Sequence, residues 1–512
     1  MSNTFKYGKE SLTFEKAMHL AKGEWKGIID EETKGRIKAS SALTEKLAQG
    51  NQAVYGINTG FGPLCTTKIA AKDTAQLQHN LLMSHSVGVG ENVPIIISKL
   101  MLVTKLQALS QGFSGIQLET LQRIQWLIKE DIIPVVPCKG SVGASGDLAP
   151  LSHLFLPLIG LGKVWYNGVI CDTSDILLQY ELEPLQLRPK EALALINGTQ
   201  FILSYAVLFL HTFRNILDLA DVISALSLEG FQGSTNPFTK ELHDLRPFAG
   251  NQLVARRMRN LLEGSDIVTS HKNCDRVQDP YSIRCIPAVH GASRNAWQHL
   301  KELTDIELNS VTDNPIILED GRSISGGNFH GQPLAIPLDY ACVAVAEIGS
   351  ISERRSYLML EGKFGLPTML IKDGGLHSGF MIPQYTAAAL VSENKGLCFP
   401  ASCDSIPTSL GQEDHVSMGS ISGRKAYQVA QNVEFVLAIE LLYALQAIDY
   451  RRPSTSSELL EKVHSFLREK VDHVESDRIF GEDINTLQQM IADGSLLAFV
   501  NQQAKLLNVE LK

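Results

Sequence analysis

The chain has 512 residues, 44% of them hydrophobic and 20% charged, with a formal net charge of −9 at neutral pH. That composition suits a folded chain with a large core, and an acidic balance without a basic stripe argues against a nucleic-acid partner. The start, Met1-Ser2-Asn3-Thr4-Phe5-Lys6, lacks the apolar run of a secretory signal, and the most apolar helical stretches carry charges such as Asp339 and Glu347. The expectation is a cytoplasmic protein with no membrane span. Eight cysteines (Cys65, Cys138, Cys171, Cys274, Cys285, Cys342, Cys398 and Cys403) include no Cys-x-x-Cys pair and read as reduced, mostly buried thiols. The zinc pattern His-Glu-x-x-His, the phosphate loop and the Gly-x-Ser-x-Gly elbow are absent from the sequence, and no metal is expected.

Residues 10–50 carry helical periodicity with polar caps. Ala53-Val54-Tyr55-Gly56-Ile57-Asn58-Thr59-Gly60-Phe61-Gly62 breaks it, and its three glycines mark a loop with special backbone angles. Helices are expected over 73–90 and 95–130, the first closing at Gly88 and Gly90. Short extended pieces lie within 158–185, where Lys163-Val164-Trp165-Tyr166 before Asn167-Gly168 is the one convincing hairpin signal. After Pro189 come apolar-periodic stretches over 199–230, 291–310, 333–361 and 416–449. Helices of that length imply a bundle whose faces bury against each other and against other subunits. Arg451-Arg452-Pro453 ends the last, Thr455-Ser456-Ser457-Glu458 reads as a capping box, and the remainder to Lys512 is more polar and peripheral. The expected organisation is mainly α. A mixed, mostly helical N-terminal domain spans 1–198, and a long-helix domain with peripheral C-terminal helices spans 199–512.

One stretch carries unusual chemistry. Gly143-Ala144-Ser145-Gly146-Asp147-Leu148-Ala149-Pro150 follows the apolar run Ile132-Ile133-Pro134-Val135-Val136-Pro137 and the turn-rich Lys139-Gly140-Ser141. Glycine lets a backbone amide approach a carbonyl that a side chain would block. The nitrogen of Gly146 can therefore attack the carbonyl carbon of Ala144 and close a five-membered ring around Ser145. Loss of water from the ring, then from the Ser145 side chain, leaves a conjugated exocyclic methylidene, a strong electrophile. The other reading is a tight Gly-Ser turn before a helix capped by Asp147.

The block Gly140-Ser141-Val142-Gly143-Ala144-Ser145-Gly146-Asp147-Leu148-Ala149-Pro150-Leu151-Ser152-His153 resembles the signature of the histidine and aromatic amino-acid ammonia-lyases, and the resemblance runs from about Tyr55 to the last helices. It implies a methylidene-imidazolone prosthetic group made from Ala144, Ser145 and Gly146, no dissociable cofactor, and a fumarase/aspartase-like central bundle. It also implies roles for the other blocks. Tyr55 matches the family's catalytic base. Asn197, in Leu195-Ile196-Asn197-Gly198-Thr199-Gln200, can cap the long helix and also hold the electrophile's oxygen or the substrate amine. Gln278-Asp279-Pro280-Tyr281-Ser282-Ile283-Arg284 matches a block in which Arg284 clamps the substrate carboxylate with two parallel hydrogen bonds, Gln278 and Tyr281 adding polar contacts. Phe329, in Ser325-Gly326-Gly327-Asn328-Phe329-His330-Gly331, would line the pocket beside the substrate ring.

Two positions bear on the substrate. Ser84-His85 resembles the histidine-type selectivity pair, and Glu413 in Gly411-Gln412-Glu413-Asp414-His415 follows the same pattern. A carboxylate and a histidine satisfy both nitrogens of an imidazole, whereas a phenyl ring leaves them buried and unpaired at roughly 1–3 kcal/mol per group. The resemblance thus implies elimination of ammonia from L-histidine to give trans-urocanate, in a homotetramer with active sites shared between subunits. A tyrosine ammonia-lyase or aminomutase of the same family is the alternative. Ala288 and His377 depart from the family pattern, where Gln and Asn are more usual.

Overall fold

The computed structural model describes residues 3–50, 52–60, 62, 68–70, 73–271 and 276–512. Phe61, Cys65 and Cys274 lie outside the described residues. Contacts divide the chain into two units, one of Met1–His211, Leu300–Asp339 and Pro400–Arg424, the other of Thr212–His299, Tyr340–Phe399 and Lys425–Lys512. This division interleaves the chain and differs from the cut at 198/199 read from the sequence. The mainly α architecture is as expected, with small sheets of two or three strands confined to short segments.

In the first unit the helical stretch over 10–50 is two helices, Phe14–Ala21 and Glu31–Gln49, separated by strand Lys26–Ile28, which pairs in parallel with Thr4–Lys6. Thr13 and Asp30 cap them, each side chain accepting from an amide three residues on. The helix expected over 73–90 stops at His85, because Val89–Asn92 leaves to pair with strand Pro137–Lys139. The stretch over 95–130 is likewise two helices, Ile95–Leu109 and Leu118–Lys129. The first of these is buried throughout Leu100–Leu109, including Lys105 and Gln107. The hairpin expected at Asn167-Gly168 is present, with both residues at positive φ (51° and 80°) joining Lys163–Tyr166 to Val169–Asp172.

The long helices are Gln200–Phe231, Ile286–Glu307, Gln332–Met359 and Gly419–Asp449. Within the second unit their apolar faces bury residues such as Leu226, Val345, Val436 and Leu441 completely. Two buried charge clusters fix their register. Glu440 accepts from Arg355 Nε at 2.5 Å and Nη2 at 2.9 Å, and also from Ser227 Oγ at 2.6 Å. Asp221 accepts from Arg257 Nε and Arg294 Nη2, each at 2.6 Å, and pairs with His290 Nδ1 at 2.8 Å. Burial pushes the Asp221 carboxyl up, but the two guanidiniums hold it well below the usual carboxylate range. Gln332–Met359 and Gly419–Asp449 are long and apolar enough to cross a membrane by length and composition, yet most of each apolar window is buried inside the fold.

Three details depart from the sequence reading. Helices Ala249–Leu262 and Met381–Leu397 fall where no long stretch was marked. The capping box at 455–458 is displaced: Ser457 caps helix Glu458–Arg468, and Glu461 accepts from Ser456 N at 2.6 Å. Thr455 instead gives its carbonyl to the amides of Asp266 and Ile267.

Candidate active site

Ser145 lies on the loop between strand Pro137–Lys139 and helix Leu148–Phe155. Gly146 has φ +78°, and a Cβ there would sit 2.1 Å from the carbonyl oxygen of Gly198, so no other residue fits without moving the backbone. The two glycines lie side by side as an isolated parallel bridge. Asp147 N donates to Gly198 O at 2.8 Å. The carbonyl oxygen of Ser145 receives two donors, Asn197 Nδ2 at 2.6 Å and Gly198 N at 3.4 Å. Asn197 Oδ1 is buried with no hydrogen-bond partner among the described residues.

Asp147 does not cap its own helix as expected. Its fully buried carboxylate accepts instead from Phe201 N at 3.1 Å, Ile202 N at 3.0 Å and Ser141 Oγ at 3.0 Å. The free amides of a long helix start outcompete those of the short helix that follows. One carboxylate thus ties the Ser145 loop to the segment carrying Asn197. Burial pushes the Asp147 pKa up to about 7 despite these bonds.

Lys105 stands behind Asn197, and the sequence reading missed it. Its Nζ donates to Asn197 O at 2.6 Å and Gln200 Oε1 at 3.3 Å, and Gln200 Nε2 donates to Thr312 Oγ1 at 2.9 Å. Burial pulls the Lys105 pKa down to about 7. Its sequence signal is weak: a lysine in a mostly apolar helix that carries a second one at Lys99.

Residues 405–418 face the serine. Glu413 Oε1 accepts from Ser145 Oγ at 2.9 Å, and its Oε2 accepts from Thr408 Oγ1 and Ser409 Oγ, both at 2.8 Å. Glu413 sits on a loop before helix Gly419–Asp449, not in its first turn, so the carboxylate serves the pocket and not the helix. His330 and His415 also belong here and were not singled out from the sequence, although both fall inside the quoted blocks. Their rings are near-parallel at 5.6 Å, with His330 Nε2 3.5 Å from His415 Nδ1.

These groups line a cavity of about 690 Å³, of ligand-binding size. The structure brings together Tyr55, His85, Ala144, Ser145, Asn197, Phe329 and Glu413 around it. Burial holds the His85 imidazole below its ordinary pKa, against the opposing pull of Glu413. Gln278, Tyr281 and Arg284 are not among the lining residues and belong to the second unit. There Arg284 lies over the Tyr281 ring at 4.5 Å, its Nε is buried without a partner, and Tyr281 is 69% exposed.

A family profile described as aromatic amino acid lyase matches residues 12–469. The chain belongs to the aromatic amino acid lyase family. It is 44% identical over 492 residues to the histidine ammonia-lyase of Natranaerobius thermophilus, covering 96% of this chain and 97% of that one. Its structure is similar to the crystal structure of histidine ammonia-lyase from Trypanosoma cruzi, with a TM-score of 0.90 and 41% identity over 98% of this chain and 95% of that chain. Tyrosine aminomutase from Streptomyces globisporus is similar at TM-score 0.92 and 34% identity, covering 98% and 99%. As a family member the chain is a carbon–nitrogen lyase, of a group whose members use an autocatalytic methylidene-imidazolone.

Proposed function

We infer that this chain eliminates ammonia from L-histidine to give trans-urocanate. The observation that carries the reading is the placement of Glu413 and His85 in the same cavity as Ser145 and Asn197. An imidazole finds a carboxylate acceptor there and a second ring nitrogen partner, whereas a phenyl ring satisfies neither.

The residues present fit the methylidene-imidazolone. Gly146 has no Cβ where one would strike Gly198 O and takes φ +78°, so the backbone can adopt the tight turn that ring closure needs. The reading is that this bond forms with loss of one water and that the Ser145 hydroxyl then leaves as a second. Glu413 Oε1 already accepts from that hydroxyl. Once the hydroxyl has gone, the same oxygen is released toward the substrate imidazole. The group, when formed, supplies an electron-poor carbon to the substrate. Asn197 Nδ2 and Gly198 N donate to the Ser145 carbonyl oxygen, where charge would accumulate. The unpartnered Asn197 Oδ1 is an acceptor for the substrate amine. Tyr55 is the base for the β-proton, and Phe329 packs against the substrate ring.

Arg284, with Gln278 and Tyr281, is read as the carboxylate clamp, acting on the cavity of a second copy in a homotetramer. Two features support that assembly. Arg284 Nε is buried with no hydrogen-bond partner among the described residues. Tyr340, Val343 and Tyr357 on one long helix, and Ile382 and Tyr385 on another, leave apolar side chains exposed. A cytoplasmic location remains the reading.

The test is direct. Purified protein mixed with L-histidine should generate the ultraviolet absorption of urocanate, and with L-tyrosine little coumarate or β-tyrosine. Consumption of tyrosine with histidine untouched would replace this reading with the aminomutase one.

A further inference from the structure

A second cavity, of about 840 Å³, lies in the first unit and shares no lining residue with the one around Ser145. Its volume falls in the range of small-molecule sites. Trp25 and Trp126 supply flat walls. Trp25 is stacked on His19 at 5.1 Å, and Trp126 is edge-on to Tyr180 at 5.2 Å with the Arg123 guanidinium over its ring at 5.8 Å.

The charge around this cavity is opposite to that of the chain. Four lysines line it against one acid, Asp131, on a protein of net charge −9. Lys99 pairs with Asp131 at 2.5 Å and Lys129 with Glu130 at 2.6 Å. Lys22 and Lys26 are exposed and have no side-chain partner among the described residues. Two free ammonium groups beside two indoles match a ligand with one flat ring and one anionic group.

We propose that this cavity is a binding site for a flat aromatic carboxylate, separate from the active site. The ring lies against Trp25 and Trp126, and the carboxylate meets Lys22 and Lys26. Two sources share this chemistry: the trans-urocanate of the reaction inferred above, and aromatic acids foreign to it such as benzoate. Binding of benzoate does not depend on the assigned reaction, so failure of one reading leaves the other intact.

The experiment titrates the full-length protein with benzoate and, separately, with trans-urocanate, by calorimetry and tryptophan fluorescence. Both should show a component that quenches tryptophan emission. The double variant Lys22→Ala/Lys26→Ala should weaken that component by about tenfold or more. Its unfolding temperature and its turnover of histidine should stay unchanged, since both lysines are exposed and remote from the lining of the other cavity. Preference for urocanate over benzoate would make the site a product sensor, and equal binding a general aromatic-acid site; both uphold the proposal. Binding that is indifferent to the double substitution, or acetate binding as well as benzoate, would overturn it.

Discussion

The loops around Ser145 and the helices around Glu440 both bury charge, and they treat it differently. In the helices Glu440 and Asp221 meet guanidiniums, whereas Glu229 and Glu434, also buried there, meet a hydroxyl and an amide. Glu440 is gripped twice by Arg355, and Asp221 by Arg257 and Arg294. Around Ser145 the buried ions are held by neutral groups. Asp147 is surrounded by two amides and a hydroxyl, and Lys105 by a carbonyl and an amide oxygen. Directly paired charge stays ionised and locks one packing. Charge held only by dipoles drifts toward neutral pH, and Asp147 and Lys105 both titrate near 7. Burial pushes Glu229 and Glu434 in the long helices up to about 7 as well, so the shift follows the missing counter-ion wherever it occurs.

Substitutions can sharpen or break this contrast. The largest expected effect is on the loop. Gly146→Ala places a methyl 2.1 Å from Gly198 O. Activity on histidine should fall by about 10³-fold or more, because the donors on the Ser145 carbonyl are displaced together with the attacking nitrogen. Circular dichroism and the unfolding midpoint should change little by comparison. Substantial turnover in that variant would show that the close approach is not needed.

Glu440→Ala comes next and should act in the opposite sense. It leaves the Arg355 guanidinium buried without its partner, at a cost of about 3–5 kcal/mol in denaturant unfolding. Activity per folded molecule should be nearly unchanged. A loss of activity larger than the loss of folded protein would mean that the paired charges serve chemistry as well as packing.

The smallest effect is the most specific. Burial lowers the Lys105 pKa from 10.5 to about 7, so between those values the folded state binds fewer protons than the unfolded chain. Wild-type stability should therefore gain on Lys105→Met as pH rises from 7 to 9, by up to about 1.4 kcal/mol per pH unit. Urea unfolding of both proteins at several pH values measures the difference. A difference that does not change with pH would mean that the ammonium stays charged inside the fold.

Much of this was readable in the residues. The Asn167-Gly168 turn, the four long helices and the grouping of Tyr55, His85, Ser145, Asn197, Phe329 and Glu413 need only local pattern or motif. What was hidden depends on distance along the chain. Lys105 lies 92 residues from the carbonyl it holds, and periodicity cannot show that a lysine points inward. Asp147 sits where a cap belongs, yet it serves a helix more than fifty residues on, a choice made by tertiary packing. The interleaving of the two units is invisible for the same reason: a long helix reads as one element even where its two ends belong to different units.

The central claim is that Ala144, Ser145 and Gly146 condense into a dehydrated ring. Intact-mass spectrometry of the purified chain tests it most directly, with Ser145→Ala as control. The account expects the wild-type chain to be lighter than its encoded sequence by two water molecules, with the loss mapping to the peptide that contains Ser145. A mass equal to the encoded sequence in an active preparation would contradict it.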